Sequence, residues 1–423
     1  MVFSKKNIAL RRVVITGVGM ISSVGNNVSE SWESVKNGKC GIARITRFDP
    51  TEFYSQIAGE VKGYDPLNYF DKKEARKMDP YIQFGVIAAS EAVEDSGIDK
   101  FSGLNHERSG VYIGSGIGGI YTIEQNKEIL SERGPSRVSP FFLTASIANL
   151  ATGQVSIKYG LKGPNLANVT ACATSTHSIG ESFRIIQMGD ADVMVAGGAE
   201  YPITRLGVAG FSSIKALSSR NDAPEKSSRP FDKERDGFVI AEGAAIVVLE
   251  DLEHAVKRGA KIYAEVVGYG YTGDAFHVTA PDTEATGAVR TMKMAIDDAE
   301  IKPEMVDYIN AHGTSTPLND KIETKGIRKL FGEHAEKINI SSTKSMTGHV
   351  LGATGATEAI FSALSTRDDF IPPTINQEVF DEECDLNYTP NKGVKREVNY
   401  ALSNSFGFGG TNGSLLIKKF TDK

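Results

Sequence analysis

The chain has 423 residues, 40% of them hydrophobic and 24% charged, with 47 basic against 53 acidic side chains and a net charge of −6. That near-balance excludes a global field for nucleic acid or an anionic membrane, so any basic contact surface has to be local. The length predicts two to three domains, or one duplicated fold, each able to bury its own core.

The three cysteines, Cys40, Cys172 and Cys384, are odd in number and lack metal-like spacing, which points to a reduced, cytoplasmic compartment. Only about a dozen residues, Met1 to Arg12, precede the first strand-like run, too few for a signal or transit peptide. No apolar run approaches the ~20 residues of a membrane helix.

In chain order, the pattern predicts a strand over 13–17, helices over 29–36 and 82–96, and a strand over 111–113. A long buried helix is expected over 141–159, then a strand ending near 166–170, a helix to about Met188 and a strand over 192–196. After a charged loop, 238–249 reads as one long strand. A similar pass then follows: strands at 263–268, 306–310 and 338–341 alternate with helices at 285–299, 320–331 and 352–364, before terminal strands near 400–403 and 413–417. Such alternation predicts an α/β chain of mixed sheets covered by helices, in two similar halves that join near 251–261, itself a predicted helix. The 43 glycines cluster at strand ends, as at Gly17-Val18-Gly19 and Gly268-Tyr269-Gly270, where backbone is expected to approach a ligand. Gly114 to Gly119 superficially suggests dinucleotide binding, but no acidic residue follows at the required distance.

Cys172 stands at a predicted strand-to-helix junction, where helix-terminal N–H groups and the helix dipole favour a thiolate. Three later loops each follow a predicted strand and carry chemistry. His312 lies in Asn310-Ala311-His312-Gly313-Thr314-Ser315-Thr316; Lys344 and His349 lie in Lys344-Ser345-Met346-Thr347-Gly348-His349; and Phe408 lies in Phe406-Gly407-Phe408-Gly409-Gly410. Ligands of strand-helix sheets gather beyond the strand ends, so these loops are expected to meet Cys172 in one cleft.

These motifs, with Thr170-Ala171-Cys172-Ala173-Thr174 and Arg229-Pro230-Phe231-Asp232, resemble the β-ketoacyl-[acyl-carrier-protein] synthases, most closely the type II enzymes of bacterial fatty acid elongation. The resemblance implies a thiolase-like fold of two pseudo-duplicated mixed-sheet halves in five layers, divided here as 10–255 and 262–420, and a homodimer. It implies decarboxylating condensation of malonyl-carrier protein with an enzyme-bound acyl chain, giving a 3-oxoacyl chain two carbons longer, with acyl-carrier protein as partner and no metal or organic cofactor. A type I or polyketide ketosynthase and a non-condensing chain-length-factor-like subunit are the alternatives; the second usually lacks the cysteine.

Residue by residue, the match makes Cys172 the acylated nucleophile, activated mainly by its helix terminus. The N–H groups of Cys172 and Phe408 become an oxyanion hole, and His312 and His349 the donors to the malonyl thioester carbonyl. Lys344 with Glu358 is expected to orient the histidines and set their protonation, and Thr314 and Thr316 to hold pantetheine. Ile117, Gly207, Phe211 and Phe408 match the acyl pocket, with Ile117 a movable gate. Lys72, Lys73, Arg76 and Lys77, on a predicted helix, and Arg220 match the carrier-protein surface.

Overall fold

The computed structural model describes residues 9–421. Most of the segment expected to be too short for a leader, residues 1–8, lies outside that range. Strand Val13–Ile21 is buried at every position, so it must be covered on both faces. Gly17 and Gly19 permit one cover: a Cβ on them would stand 2.2 Å from the Ala92 carbonyl oxygen and 2.0 Å from that of Ala88, both on helix Pro80–Ser96. Gly268 and Gly270 repeat the device, each 2.0 Å by the same construction from the Ala295 and Thr291 carbonyls on helix Thr286–Asp298. The ligand approach expected at these four glycines is thus corrected; they seat helices.

Ten strands form one hydrogen-bonded series: Asn339–Ser341, Tyr308–Asn310, Tyr400–Gly407, Thr411–Lys419, Ala264–Gly273, Val13–Ile21, Gly243–Asp251, Val193–Glu200, Ser109–Gly114 and Asn165–Leu166. The order is symmetric. Reading outward from the centre, each side has two antiparallel pairings and then two parallel ones. The strands of the two halves pair through three residue pairs, Val13 to Ile15 against Ala264 to Val266. Helices Thr174–Gln187 and Thr354–Asp368 pack on each other between strands of both halves, while Pro80–Ser96 and Thr286–Asp298 cover the outer faces. The result is a helix-sheet-helix-sheet-helix stack, the α/β layering expected.

Several local expectations change. The helix expected over 141–159 is two, Phe142–Ser146 and Leu150–Tyr159, because Ile147 turns extended and its carbonyl takes the Tyr81 hydroxyl. It is not buried either: Leu143, Ile147 and Ile157 are exposed. The strand expected over 238–249 begins only at Gly243; residues 238–241 make isolated bridges to Leu217, His349 and Gly59. The strand before Cys172 stops at Leu166. Helices Ile120–Arg133 and Arg205–Ser213 were not expected; the first lacks a clean apolar stripe, with only Asn126 fully buried.

Candidate active site

Cys172 sits in a single 3-10 turn, Ala171–Ala173, immediately before the buried helix Thr174–Gln187. Ala171 holds a left-handed φ of 48°, a local strain of order 1 kcal/mol that sharpens the turn and presents the thiol. The matching turn in the second half, Leu351–Ala353, begins on Leu351 with φ 45° and leads into helix Thr354–Asp368. Two similar turns therefore meet face to face, and the one carrying the thiol opens into a cavity of about 420 Å³.

The expected loops converge there. Cys172, His312, His349, Thr314, Thr316, Phe211 and Phe408 all line the cavity. The ligand atoms of Cys172, His312 and His349 lie within 4.8 Å of one another. His349 Nε2 is 3.0 Å from the Cys172 sulfur, and its Nδ1 is 2.9 Å from the Thr354 hydroxyl. His312 Nδ1 is enclosed without a partner. An unpaired buried N–H costs about 1–3 kcal/mol, so its proton belongs on Nε2. Burial and the Lys344 charge hold both imidazoles well below their usual range, His349 adding to the effect on His312. Both are neutral rings, each with one N–H to donate.

Burial dominates and pushes the Cys172 thiol up to about 12; the Lys344 charge and the N–H groups of Phe408 and Cys172 pull it down, and Glu200 pushes it up. The helix itself begins two residues later, at Thr174. Burial thus favours the thiol form, and the neutral His349 imidazole lies beside the sulfur. The Phe408 and Cys172 N–H groups both face the Cys172 sulfur.

Lys344 is buried and donates to Glu358 at 2.5 Å. Among the described residues it makes no hydrogen bond to either imidazole, so it does not orient them by contact. What reaches them is its charge, which acts on Cys172, His312 and His349 alike. Burial pushes the Glu358 carboxyl up to about 8 against the pull of Lys344. A thiol and two imidazoles at this spacing are also a soft-metal donor set. The buried ammonium beside them opposes a dication.

Glu323, on helix Pro317–Phe331, positions the His312 loop by accepting the His312 and Gly313 N–H groups at 2.9 and 2.8 Å. It went unnoticed in the sequence, although Asp320, Glu323, Thr324 and Ile327 share the buried face of that helix. The Phe408 turn lies between Gly407 and Thr411, with Gly409 and Gly410 at φ 87° and 69°. Asp274 ties it down from outside, accepting Asn412 Nδ2 at 2.7 Å and donating its N–H to the Gly410 carbonyl at 2.8 Å. His177 ties it from below, Nε2 donating to the Asn412 carbonyl at 3.2 Å and Nδ1 lying 2.7 Å from Thr170 Oγ1.

Thr314 and Thr316 share a 2.9 Å hydroxyl contact at the cavity wall. Ile117 does not line the open cavity; it packs with Phe211, Phe238 and Leu351 in an apolar cluster. Gly207 is buried on helix Arg205–Ser213, where a Cβ would meet the Pro202 carbonyl at 2.2 Å. In the basic patch the helix is only Lys72–Ala75, and Lys77 pairs with Glu74 at 2.5 Å. Arg220 pairs with Glu234 at 3.5 Å, leaving Lys72, Lys73 and Arg76 without an ion pair among the described residues.

Residues 10–255 match the β-ketoacyl synthase N-terminal domain, and residues 263–378 the C-terminal domain. The chain belongs to the β-ketoacyl synthase family. Among curated relatives, the 3-oxoacyl-[acyl-carrier-protein] synthase 2 of Coxiella burnetii is 54% identical over 412 residues, covering 97% of this chain and 99% of its own length. That of Vibrio harveyi is 52% identical over 413 residues with the same coverage. Among solved structures, a β-ketoacyl synthase from Burkholderia phymatum superposes with a TM-score of 0.90 at 34% identity, covering 97% of this chain and all of its own. A type II polyketide acyl-carrier protein in complex with its ketosynthase gives 0.90 at 35% identity, with 97% and 100% coverage. No helix among the described residues is long and apolar enough to cross a membrane.

Proposed function

We propose that this β-ketoacyl synthase catalyses the decarboxylating condensation of fatty acid elongation, as a type II 3-oxoacyl-[acyl-carrier-protein] synthase. The observation that carries the reading is the thiol and two neutral imidazoles within 4.8 Å of one another at the end of the cavity. The Cys172 sulfur attacks the acyl thioester of a carrier protein and its proton passes through His349 to the departing thiol. The N–H groups of Cys172 and Phe408 hold the tetrahedral oxyanion; such donors are typically worth about 3 kcal/mol each. Malonyl-carrier protein then binds. The bond to its carboxylate carbon breaks, the electron pair passes into the thioester, and the oxygen of the resulting enolate takes N–H donation from His312 and, in its Nε2–H tautomer, from His349. Neutral rings suit this task, since an imidazolium would protonate the enolate carbon's electron pair away. The carbanion attacks the Cys172 thioester and expels the sulfur as a thiolate, which takes a proton from solvent.

The remaining assignments belong to the same proposal. Thr314 and Thr316 bind pantetheine, Ile117, Gly207, Phe211 and Phe408 shape the acyl pocket, and Lys72, Lys73, Arg76, Lys77 and Arg220 meet the acidic carrier protein. The symmetric strand order supports two related halves at 10–255 and 262–420. The unpaired edge of Asn165–Leu166 and the exposed Leu143, Ile147, Ile157 and Val169 support a homodimer. The enzyme acts in the cytoplasm. The fatty acid reading is favoured over a polyketide one because the synthase 2 relatives share 52–54% identity and the polyketide ketosynthase structure 35%.

The test is intact-mass analysis with acyl-carrier-protein thioesters of two to sixteen carbons, beside Cys172→Ala. Adducts confined to the parent protein and extended by malonyl-carrier protein are expected. Acylation without extension would instead establish a loading transferase.

A further inference from the structure

Glu200 ends strand Val193–Glu200, is fully buried, and has no cation among its hydrogen-bond partners. Its Oε1 accepts from two segments at once. One donor is the Gly116 N–H, in the loop that carries Ile117. The other is the Gly352 N–H at 3.2 Å, in the turn Leu351–Ala353 that enters the central helix. The Ser115 hydroxyl and the Ile117 N–H also favour its charged form. The fit is close: a Cβ on Gly116 would stand 2.8 Å from Oε1, and one on Gly352 2.5 Å.

Burial without a cation is costly for a carboxylate, and here it pushes the group up to about 8. A leucine would pack without that cost. What the carboxyl adds is one oxygen shared by both segments. The side chains next to the two glycines, Ile117 and Leu351, meet in the apolar cluster with Phe211 and Phe238, so the clasp lies directly behind the contact that an acyl chain has to open.

We propose that Glu200 is a positioning residue for acyl-length selection: its Oε1 locks the 115–118 loop to the 351–353 turn, so that opening the pocket moves the Ile117 side chain and not the backbone. The assignment rests on the acyl-transfer reading of Cys172. Only chains long enough to reach Ile117 meet the barrier; with the backbone free, that barrier softens for those chains and the length dependence flattens.

The experiment measures acylation rates of the full-length protein with carrier-protein thioesters of four to sixteen carbons, for the parent, Glu200→Ala, Glu200→Asp and Glu200→Gln. Alanine and aspartate are expected to compress the ratio of fastest to slowest chain at least fivefold. Glutamine keeps an Oε1 acceptor and is expected to stay within twofold of the parent. Aspartate retains the carboxyl but withdraws it by one methylene, so it decides the matter alone where the alanine variant does not fold. A uniform slowing at all lengths, or flattening by glutamine equal to that by aspartate, would overturn the proposal. A parent protein that accepts no acyl group would end the acyl-transfer reading itself, whereas a parent length profile shared by Glu200→Asp removes only the role of Glu200.

Discussion

Among the described residues Lys344 is the one cation whose charge reaches Cys172, His312 and His349 together, which makes its removal the most informative perturbation. Taking it away alone would strand Glu358, 1% exposed, and breaking a buried pair in this way costs about 3–5 kcal/mol. Lys344→Met with Glu358→Gln removes the pair while keeping its volume. The sign follows from the charge: an ammonium favours thiolate and disfavours imidazolium, so its loss raises the thiol and raises both rings. In a medium of effective dielectric about 20, a unit charge one or two atoms beyond contact acts with about 2–3 kcal/mol. That corresponds to a roughly 30- to 160-fold loss of thiolate at a given pH. The assay is the rate of Cys172 alkylation by iodoacetamide against pH, followed by acylation and malonyl decarboxylation. The double variant is expected to alkylate at least tenfold more slowly at pH 8, and its malonyl decarboxylation is expected to fall off at a higher pH than the parent's on the acid side, where the rings protonate sooner. An alkylation profile superimposable on the parent's would refute a charge role for Lys344 and leave it a packing residue.

Ile117→Phe fills the apolar cluster behind the cavity and is expected to slow acylation by chains of twelve or more carbons at least tenfold relative to butyryl, by intact mass; equal loss at all lengths counts against a gate. Lys72→Glu with Arg76→Glu is expected to raise KM for the carrier protein several-fold with kcat retained, since exposed pairs are worth about 0.2–1 kcal/mol each, and the difference should shrink in 0.5 M salt. Burial raises Glu91, Glu242 and Glu323 to about 7 and Glu200 and Glu358 to about 8. These groups hold protons in the folded state that the unfolded chain has released; above the range in which the buried neutral histidines act in the opposite sense, stability therefore falls as pH rises from about 7 to about 8. A Tm that climbs from about pH 7 to about pH 8 would contradict the burial assigned to them.

What was legible in the sequence follows from which signals are local. Cys172, His312, Lys344, His349 and Phe408 each sit in a glycine- or hydroxyl-rich segment after a strand, and a strand's end is fixed by its own few residues, so the loops announced themselves. The glycines announced themselves too, but for the wrong partner: whether Gly17 or Gly268 faces a ligand or a helix depends on residues about 75 and 27 positions away, Ala92 and Ala295, and nothing within the run distinguishes the two. Helix Ile120–Arg133 escaped because one buried side chain, Asn126, leaves no stripe to read. The carboxyls around the site form the most telling case. Glu200 follows an apolar strand and Glu323 lies three residues after Asp320 on a helix, places where an acid ordinarily faces water. Their roles arise only when the fold brings Gly116 and Gly352, or His312 and Gly313, within reach of one carboxyl. The reacting atoms of this site are therefore written in short motifs, while the groups that hold those motifs in register are set by long-range packing, and acids buried at a fold's cost are where that second layer shows.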